Sequence, residues 1–534
     1  MGKLVSSIQI EEKQALMRQP GAILLISCYE LGHQPIGIAQ PMAFLEQKGY
    51  APTAMDIAVE DFDVKRVQQA RFIGISVPMH TALTLGLQVA KRVRESNPSA
   101  HTCFYGLYAS LNADYLLRWA ADSVIGGEYE LPLLNLIDHL ADHVRDSIQG
   151  GGSKNQVNVP IEGVSTKHHI SAPYLKRVSW ATNRRDGKDG DRPRFPIPSR
   201  RQLQRLERYA RLEHHGRQEL VGYVEASRGC LHHCLHCPIV PVYQGRFFLM
   251  PEESVLGDIR QHVQAGATHI TFGDPDFLNG PGHSLNILRS MHREFPHLTF
   301  DFTAKIEHIL KRHTLFQELS DLGCLFVISA VESFSDTVLS HLQKGHTRKD
   351  VLAALNIVRS AGIALRPSLV SFTPWTTLAD YLEMFDLIER YDLIDAIDPV
   401  HYTIRLLIPP GSALLTSPIP HPSPIHEFLG PLDQEKFQYQ WRHPDPRMDQ
   451  LHRVVTKIVE KTTKNGEEPE QIFCHLWNIT HEAVGKTALE KKSPLSIVKA
   501  GRQKLPRLTE SWFCCAEPTT AQFESVDYKP NGAG

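Results

Sequence analysis

The 534-residue sequence lacks any strong charge imbalance. Its 57 lysines and arginines stand against 59 aspartates and glutamates, for a net charge of −2. A surface so nearly neutral offers no broad field for nucleic acid or for an anionic membrane. Long hydrophobic runs are also missing. Stretches such as Ala22 to Ile26 fall far short of the roughly 20 apolar residues of a membrane span. The segment Met1 to Pro20 is polar and charged, unlike a secretory signal. Cysteine is scarce, with nine residues, and unevenly spread: Cys230, Cys234 and Cys237 lie close together, and Cys514 and Cys515 are adjacent. That pattern argues against a spread disulfide framework and for reduced thiols that bind metal or do redox chemistry. The expected setting is the cytoplasm, with no nucleic acid or membrane as partner. A hydrophobic content of 42% is ordinary for a globular protein, and the length calls for two or three domains.

Strand and helix patterns alternate along the first part of the chain. Ala22 to Ser27, Thr53 to Ile57, Phe72 to Val77, His101 to Tyr105 and Ser123 to Gly126 read as strands. Gln40 to Lys48, closed by Gly49, and Leu83 to Val93 read as helices. This alternation predicts an α/β fold, a doubly wound Rossmann-type domain over residues 20–145. Residues 146–200, with three successive glycines from Gly150 and a charged stretch from Asn183 to Arg194, read as a linker.

A second alternation occupies residues 201–418. Strands are expected at Val221 to Ala226, His269 to Phe272, Thr299 to Thr303, Leu325 to Ser329, Leu365 to Val370 and Tyr402 to Ile408. Pro251 and Gly266 bracket one helix. Thr347 with Asp350 caps another, which Gly362 ends. Six such units fit a partial (β/α)6 barrel. Residues 419–534 form a C-terminal extension.

One loop carries the chemistry. Ser227-Arg228-Gly229-Cys230-Leu231-His232-His233-Cys234-Leu235-His236-Cys237-Pro238 follows the first barrel strand. Three thiolates at this spacing can hold one iron–sulfur cube and leave its fourth iron open to an outside ligand. The competing reading is zinc, with His232, His233 or His236 as fourth ligand.

The CxxxCxxC loop resembles that of the radical S-adenosylmethionine (SAM) superfamily. The resemblance implies Cys230, Cys234 and Cys237 as ligands of a 4Fe–4S cluster, with SAM chelating the open iron. It also implies a small-molecule substrate and a flavodoxin- or ferredoxin-type reductant. His236, just before the third cysteine, takes the place of an adenine-contacting residue. Gly273, Asp274 and Asp276 end the second strand where the family receives the SAM amino group. Lys305, Glu307 and Glu332 fall where ribose or carboxylate is contacted, and Arg366 and Arg405 are candidates to pair with carboxylates. The loop Leu31-Gly32-His33-Gln34-Pro35-Ile36-Gly37 sits where related enzymes carry the cobalamin motif Asp-x-His-x-x-Gly, but Leu31 replaces the aspartate and Gly37 falls one residue late. The first domain is thus similar to a cobalamin-binding fold without its signature, and cobalamin remains a possible cofactor.

Near the end stands Cys514-Cys515-Ala516-Glu517-Pro518. Adjacent cysteines suit a soft ligand or a redox relay, since neighbouring Cα atoms lie too close for an unstrained disulfide. The ending resembles the CUAEP/CCAEP-tail radical SAM proteins, and the chain is similar to the radical SAM enzymes of arsinothricin biosynthesis. That likeness implies transfer of the 3-amino-3-carboxypropyl group of SAM to trivalent arsenic held by Cys514 and Cys515 with Cys474. Three alternatives stay open: a cobalamin-dependent radical SAM methyltransferase, a radical SAM enzyme acting on RNA or protein, and a non-catalytic iron–sulfur or zinc sensor.

Overall fold

The computed structural model describes residues 16–143, 159–176, 195–416, 424–483 and 504–510. The N-terminal unit is built on strands β1 (Ile23–Ser27), β2 (Thr53–Asp56), β3 (Phe72–Ser76), β4 (His101–Tyr105) and β5 (Ser123–Ile125). All five are parallel, in the order β2-β1-β3-β4-β5, as the alternation predicts. Apolar residues on both strand faces feed two separate cores, one on each side of the sheet; buried parallel strands read as continuous apolar runs for this reason. A further strand, β6 (Val164–Thr166), pairs antiparallel with β5. Part of the expected linker is therefore the edge of the first sheet. Three residues with two hydroxyls give no periodic signal, which hides the strand in the sequence.

The second sheet uses β7 (Arg211–His214), β8 (Arg217–Val224), β11 (His269–Phe272), β12 (Thr299–Thr303), β13 (Cys324–Glu332), β14 (Ala364–Leu369) and β17 (Arg507–Leu508), in the order β14-β13-β12-β11-β8-β7-β17. Strands β8, β11, β12, β13 and β14 run parallel and form a curled half-barrel. Between β8 and β11 lies a two-stranded ribbon, β9 (Ser227–Gly229) with β10 (Phe247–Leu249). The largest core fills the space between the half-barrel and its helices and includes the C-terminal helices Pro446–Lys464 and Pro469–Ala483. The expected helices form with their expected ends: Glu252–Gln264 stops at Gly266 (φ +95°), and Arg348–Ser360 has the Thr347/Asp350 capping box.

The sixth strand of the partial barrel is reduced. Pro399–Tyr402 is a 3-10 turn, and only Arg405 bridges to Phe372. Pro409 and Pro410 stop the ladder immediately afterwards, since proline brings no N–H to a sheet. A hairpin of β15 (Leu429–Asp433) and β16 (Gln438–Trp441) follows.

Buried charges lock the two units together. Arg200 donates to both carboxylate oxygens of Asp258 (2.6 and 2.8 Å), to the Gln34 side chain (3.0 Å) and to the Tyr223 carbonyl (2.7 Å). Arg228, on β9, pairs with Glu130 of the first unit at 2.5 Å and with Glu225 at 2.7 Å. The cluster loop is thus tied to the N-terminal domain two residues before Cys230.

Candidate active site

The loop from β9 to the helix Ile239–Tyr243 carries Cys230, Cys234 and Cys237, none of them in a disulfide. Backbone bonds shape it: Cys230 N donates to the Arg246 carbonyl and Cys237 N to the Cys234 carbonyl, each at 3.1 Å. Gly229 has φ +76°, and a Cβ there would lie 2.4 Å from the Arg246 carbonyl, so glycine is required before the first cysteine. Burial raises the Cys230 thiol.

The three thiols fit a cube better than a single zinc. Among the described residues, the group of His, Cys, Asp and Glu whose ligand atoms gather within 4.8 Å is His232, Asp276 and His308, not the three cysteines. Tetrahedral zinc with Zn–S near 2.3 Å would need sulfurs about 3.8 Å apart. Lys344, 3% exposed, feels the negative fields of Glu332, Cys234 and Cys237 and supplies counter-charge for anionic thiolates.

Asp274 and Asp276 separate clearly. Asp274 accepts from Ala226 N (2.9 Å) and Ser227 Oγ (2.5 Å), and burial pushes its carboxyl up to about 7. Both of its carboxylate oxygens are thus engaged at the start of β9. Asp276 caps a short 3-10 turn through Oδ1, accepting from Leu278 N, while its Oδ2 is buried without a hydrogen-bond partner. Gly273 lies over Tyr223, whose hydroxyl would be 2.1 Å from an added Cβ, so no side chain fits there.

Glu332 ends β13 in the left-handed region (φ 65°). It meets Nε2 of His236 at 3.1 Å and accepts from Lys344 at 3.2 Å. Burial alone would raise this carboxyl, but Lys344 and His236 outweigh it and hold Glu332 well below the usual carboxylate range. Lys305, 8% exposed, pairs with Glu307. His236, Lys305, Glu307 and Glu332 are therefore gathered around the cluster loop.

Three expected residues are placed elsewhere. Arg405 pairs with Asp449 (2.8 Å) and stacks 3.5 Å from the Trp441 ring centre, holding the C-terminal extension. Arg366 is spent on Asp398 (2.7 Å) and the carbonyls of Asp395 and Pro506, although it lines a small barrel cavity with Ser368, His401 and Glu510. Cys474 lies on the helix Pro469–Ala483 near Glu470 and Glu389, outside the barrel wall. Cys514 and Cys515 lie outside the described residues. Sequence reasoning missed Lys344 and His308; Lys344 had a usable signal, a lysine before Gly345 (φ +74°) in the turn ahead of a capping threonine.

In the first domain His33 is 4% exposed and stacks on Tyr223 with ring centres 4.6 Å apart. Burial lowers it to about 3, so it is neutral. Glu30 fills the mouth of the same loop by accepting from Ile36 N and Gly37 N. His33 thus fits a role in domain packing better than one as cobalt ligand.

Fold and cluster loop together define a radical SAM domain, and residues 224–387 match the model of the radical SAM superfamily. The matched part of the chain is a radical SAM domain, and such a domain implies a 4Fe–4S cluster and SAM. Curated relatives include tRNA-2-methylthio-N(6)-dimethylallyladenosine synthases. That of Desulfosudis oleivorans is 30% identical over 31% of this chain and 37% of its own length; that of Fusobacterium nucleatum is 25% identical over 30% and 39%. The chain spans less than half the length of these relatives, so their tRNA activity is theirs. Among solved structures, the cobalamin-dependent SAM radical enzyme OxsB, with aquacobalamin and SAM bound, superposes over 89% of this chain and 74% of its own (TM-score 0.62, 14% identity). The radical SAM methyltransferase TsrM of Kitasatospora setae, with tryptophan substrate and a SAM analogue, covers 69% and 71% (TM-score 0.54, 15% identity). The shared property is the two-domain fold. No helix among the described residues is long and apolar enough to cross a membrane.

Proposed function

We propose that this radical SAM enzyme functionalises a small molecule inside the half-barrel, transferring the 3-amino-3-carboxypropyl group of SAM to trivalent arsenic held by Cys514 and Cys515. Cys230, Cys234 and Cys237 hold the cluster, which when bound supplies the electron that opens a carbon–sulfur bond of SAM. Glu332, Lys344, His236 and Lys305 form the charged cradle offered to the polar groups of SAM, and a flavodoxin- or ferredoxin-type protein serves as reductant. Cys474, outside the barrel wall, is dropped from the substrate ligands.

The observation that carries the reading is β17. It pairs antiparallel with β7, and β7 with β8, so β17 runs in the direction of the barrel strands. It leads to Glu510, which accepts from the Tyr29 hydroxyl at 2.5 Å and lines the barrel cavity four residues before Cys514. A soft As(III) centre is a natural ligand for paired thiolates. A cobalamin-dependent methyltransferase is the second reading, favoured by the fold it shares with OxsB and disfavoured by the packing of His33 on Tyr223.

Reconstituted enzyme incubated with SAM, reductant and arsenite tests both. Methylthioadenosine and an arsenic–carbon product support the proposal, and 5′-deoxyadenosine as the only nucleoside product removes it. S-Adenosylhomocysteine with protein-bound cobalt supports the second reading. A Cys514→Ser/Cys515→Ser variant that still binds arsenite as wild type does would remove the tail thiols from it.

A further inference from the structure

We propose that His232, Asp276 and His308 form a second metal site, for a single divalent first-row ion, beside the cluster loop. The three come from separate segments: His232 between the first two cluster cysteines, Asp276 in the loop after β11, and His308 on the helix Ile306–Lys311 after β12. One donor atom from each lies within 4.8 Å of the others. Asp276 Oδ2 is 2.7 Å from His308 Nδ1 and 3.7 Å from His232 Nε2.

These short distances are not hydrogen bonds. His232 Nε2, His308 Nδ1 and Asp276 Oδ2 are all buried without a hydrogen-bond partner, and Asp276 is fully buried. Buried polar atoms are normally satisfied, so three facing one point call for a common partner. A divalent cation satisfies all three at once, because two imidazole nitrogens and one carboxylate oxygen are a standard donor set for such ions and leave further positions open. The donors are nitrogen and oxygen only, so the site is chemically distinct from the thiolate loop.

Its surroundings fit the role. The other ring nitrogen of His232, Nδ1, lies 3.4 Å from Glu307 Oε2, and Glu307 is paired with Lys305. A carboxylate behind a ligating histidine fixes its tautomer and ring orientation. Gly345 gives Glu307 room: a Cβ there would lie 2.2 Å from Oε1. The open positions suit an oxygen donor, a carboxylate or oxyanion of the substrate, held next to the cluster.

Mn(II) is the probe, since it favours nitrogen and oxygen over thiolate. Chelator-washed, cluster-reconstituted enzyme is titrated with Mn(II), and the free ion is read by its electron paramagnetic resonance. One Mn(II) per chain is expected. Asp276→Asn and His308→Gln should weaken it by more than about a hundredfold and Glu307→Gln by about tenfold, with iron and sulfide content unchanged. Glu307 is partly exposed, so its variant stays informative if the buried ones fail to fold. Absence of tight Mn(II) binding by wild type, or equal binding by all the variants, overturns the site. So does an Asp276→Asn protein that loses SAM affinity when no protein in the series takes up metal; the carboxylate would then serve the SAM ammonium.

Discussion

Two buried polar regions lie close together in this molecule and are finished in opposite ways. At the seam between the domains, Arg200 spends its guanidinium on Asp258, Gln34 and the Tyr223 carbonyl, and Arg228 on Glu130 and Glu225. At the mouth of the half-barrel, His232, Asp276 and His308 each bury at least one polar atom without a hydrogen-bond partner. Buried polar groups are normally paired because an orphan costs free energy and a pair recovers it. The seam obeys that rule and serves as structure. The mouth departs from it next to the three cluster thiols, where an arriving ligand can supply the missing partners. Equal burial therefore marks scaffold in one place and chemistry in the other.

The sharpest way to break this contrast is at the thiols. Replacing Cys230, Cys234 or Cys237 with alanine should abolish iron and sulfide uptake and all SAM cleavage, read by metal analysis and by product detection. Apoprotein stability should hardly change for the Cys230 and Cys237 variants, because those two residues are only partly buried and sit in a loop. Next comes the seam. Arg200→Met leaves Asp258 buried and uncompensated, and should lower unfolding free energy by about 3–5 kcal/mol in denaturant titration. The double variant Arg200→Met/Asp258→Leu should recover much of that, since neither charge then remains. A seam variant that kept its stability but lost SAM cleavage would invert the comparison.

The same contrast explains what could be read from the chain alone. The cluster loop was legible because thiolate spacing within eight residues is a local property. Ten parallel strands were legible because apolar runs such as Ile23–Ser27 and His269–Phe272 must be buried on both faces. Tyr402 to Ile408 looked like a strand because its apolar residues pack; Tyr402 and Leu406 join cores with the C-terminal elements, and that packing needs no ladder. Arg405, in the same stretch, pairs with Asp449 of the C-terminal extension. The mouth was legible only in part. Glu332 and Lys305 follow from their position after strands, whereas His232 and His308 are 76 residues apart and meet only through the curl of the sheet. Lys344 is an isolated charge until the turn before Gly345 carries it back onto Glu332.

Glu30 offers a gentler test of the seam. Burial, with Glu225 nearby, pushes its carboxyl up to about 8 from an ordinary 4.5. Between those values the unfolded chain binds fewer protons than the folded one, so stability is full below the lower value and falls as pH rises through the higher. Glu30→Gln keeps an oxygen for Ile36 N and Gly37 N but cannot ionise. It should be more stable than wild type at about pH 8, by on the order of 1–3 kcal/mol, and the gain should vanish near pH 5. A difference independent of pH would mean that Glu30 is already charged in the fold.

The smallest effect belongs to a charge pair outside both regions. Arg260 holds Glu294 through two hydrogen bonds, 2.7 and 2.8 Å, as short as those of Arg200 to Asp258. The side chains are 45% and 37% exposed, against 6% and 2% for the seam pair. Water solvates these charges whether or not they meet, and salt screens them. Arg260→Ala should therefore cost at most about 1 kcal/mol, and less as salt is added, in the same denaturant titration that reads Arg200→Met. Near-identical geometry with a several-fold smaller loss would assign the strength of the seam to burial. A loss as large as that of Arg200→Met would place it in the fork geometry of arginine itself, and the distinction between seam and surface would fall.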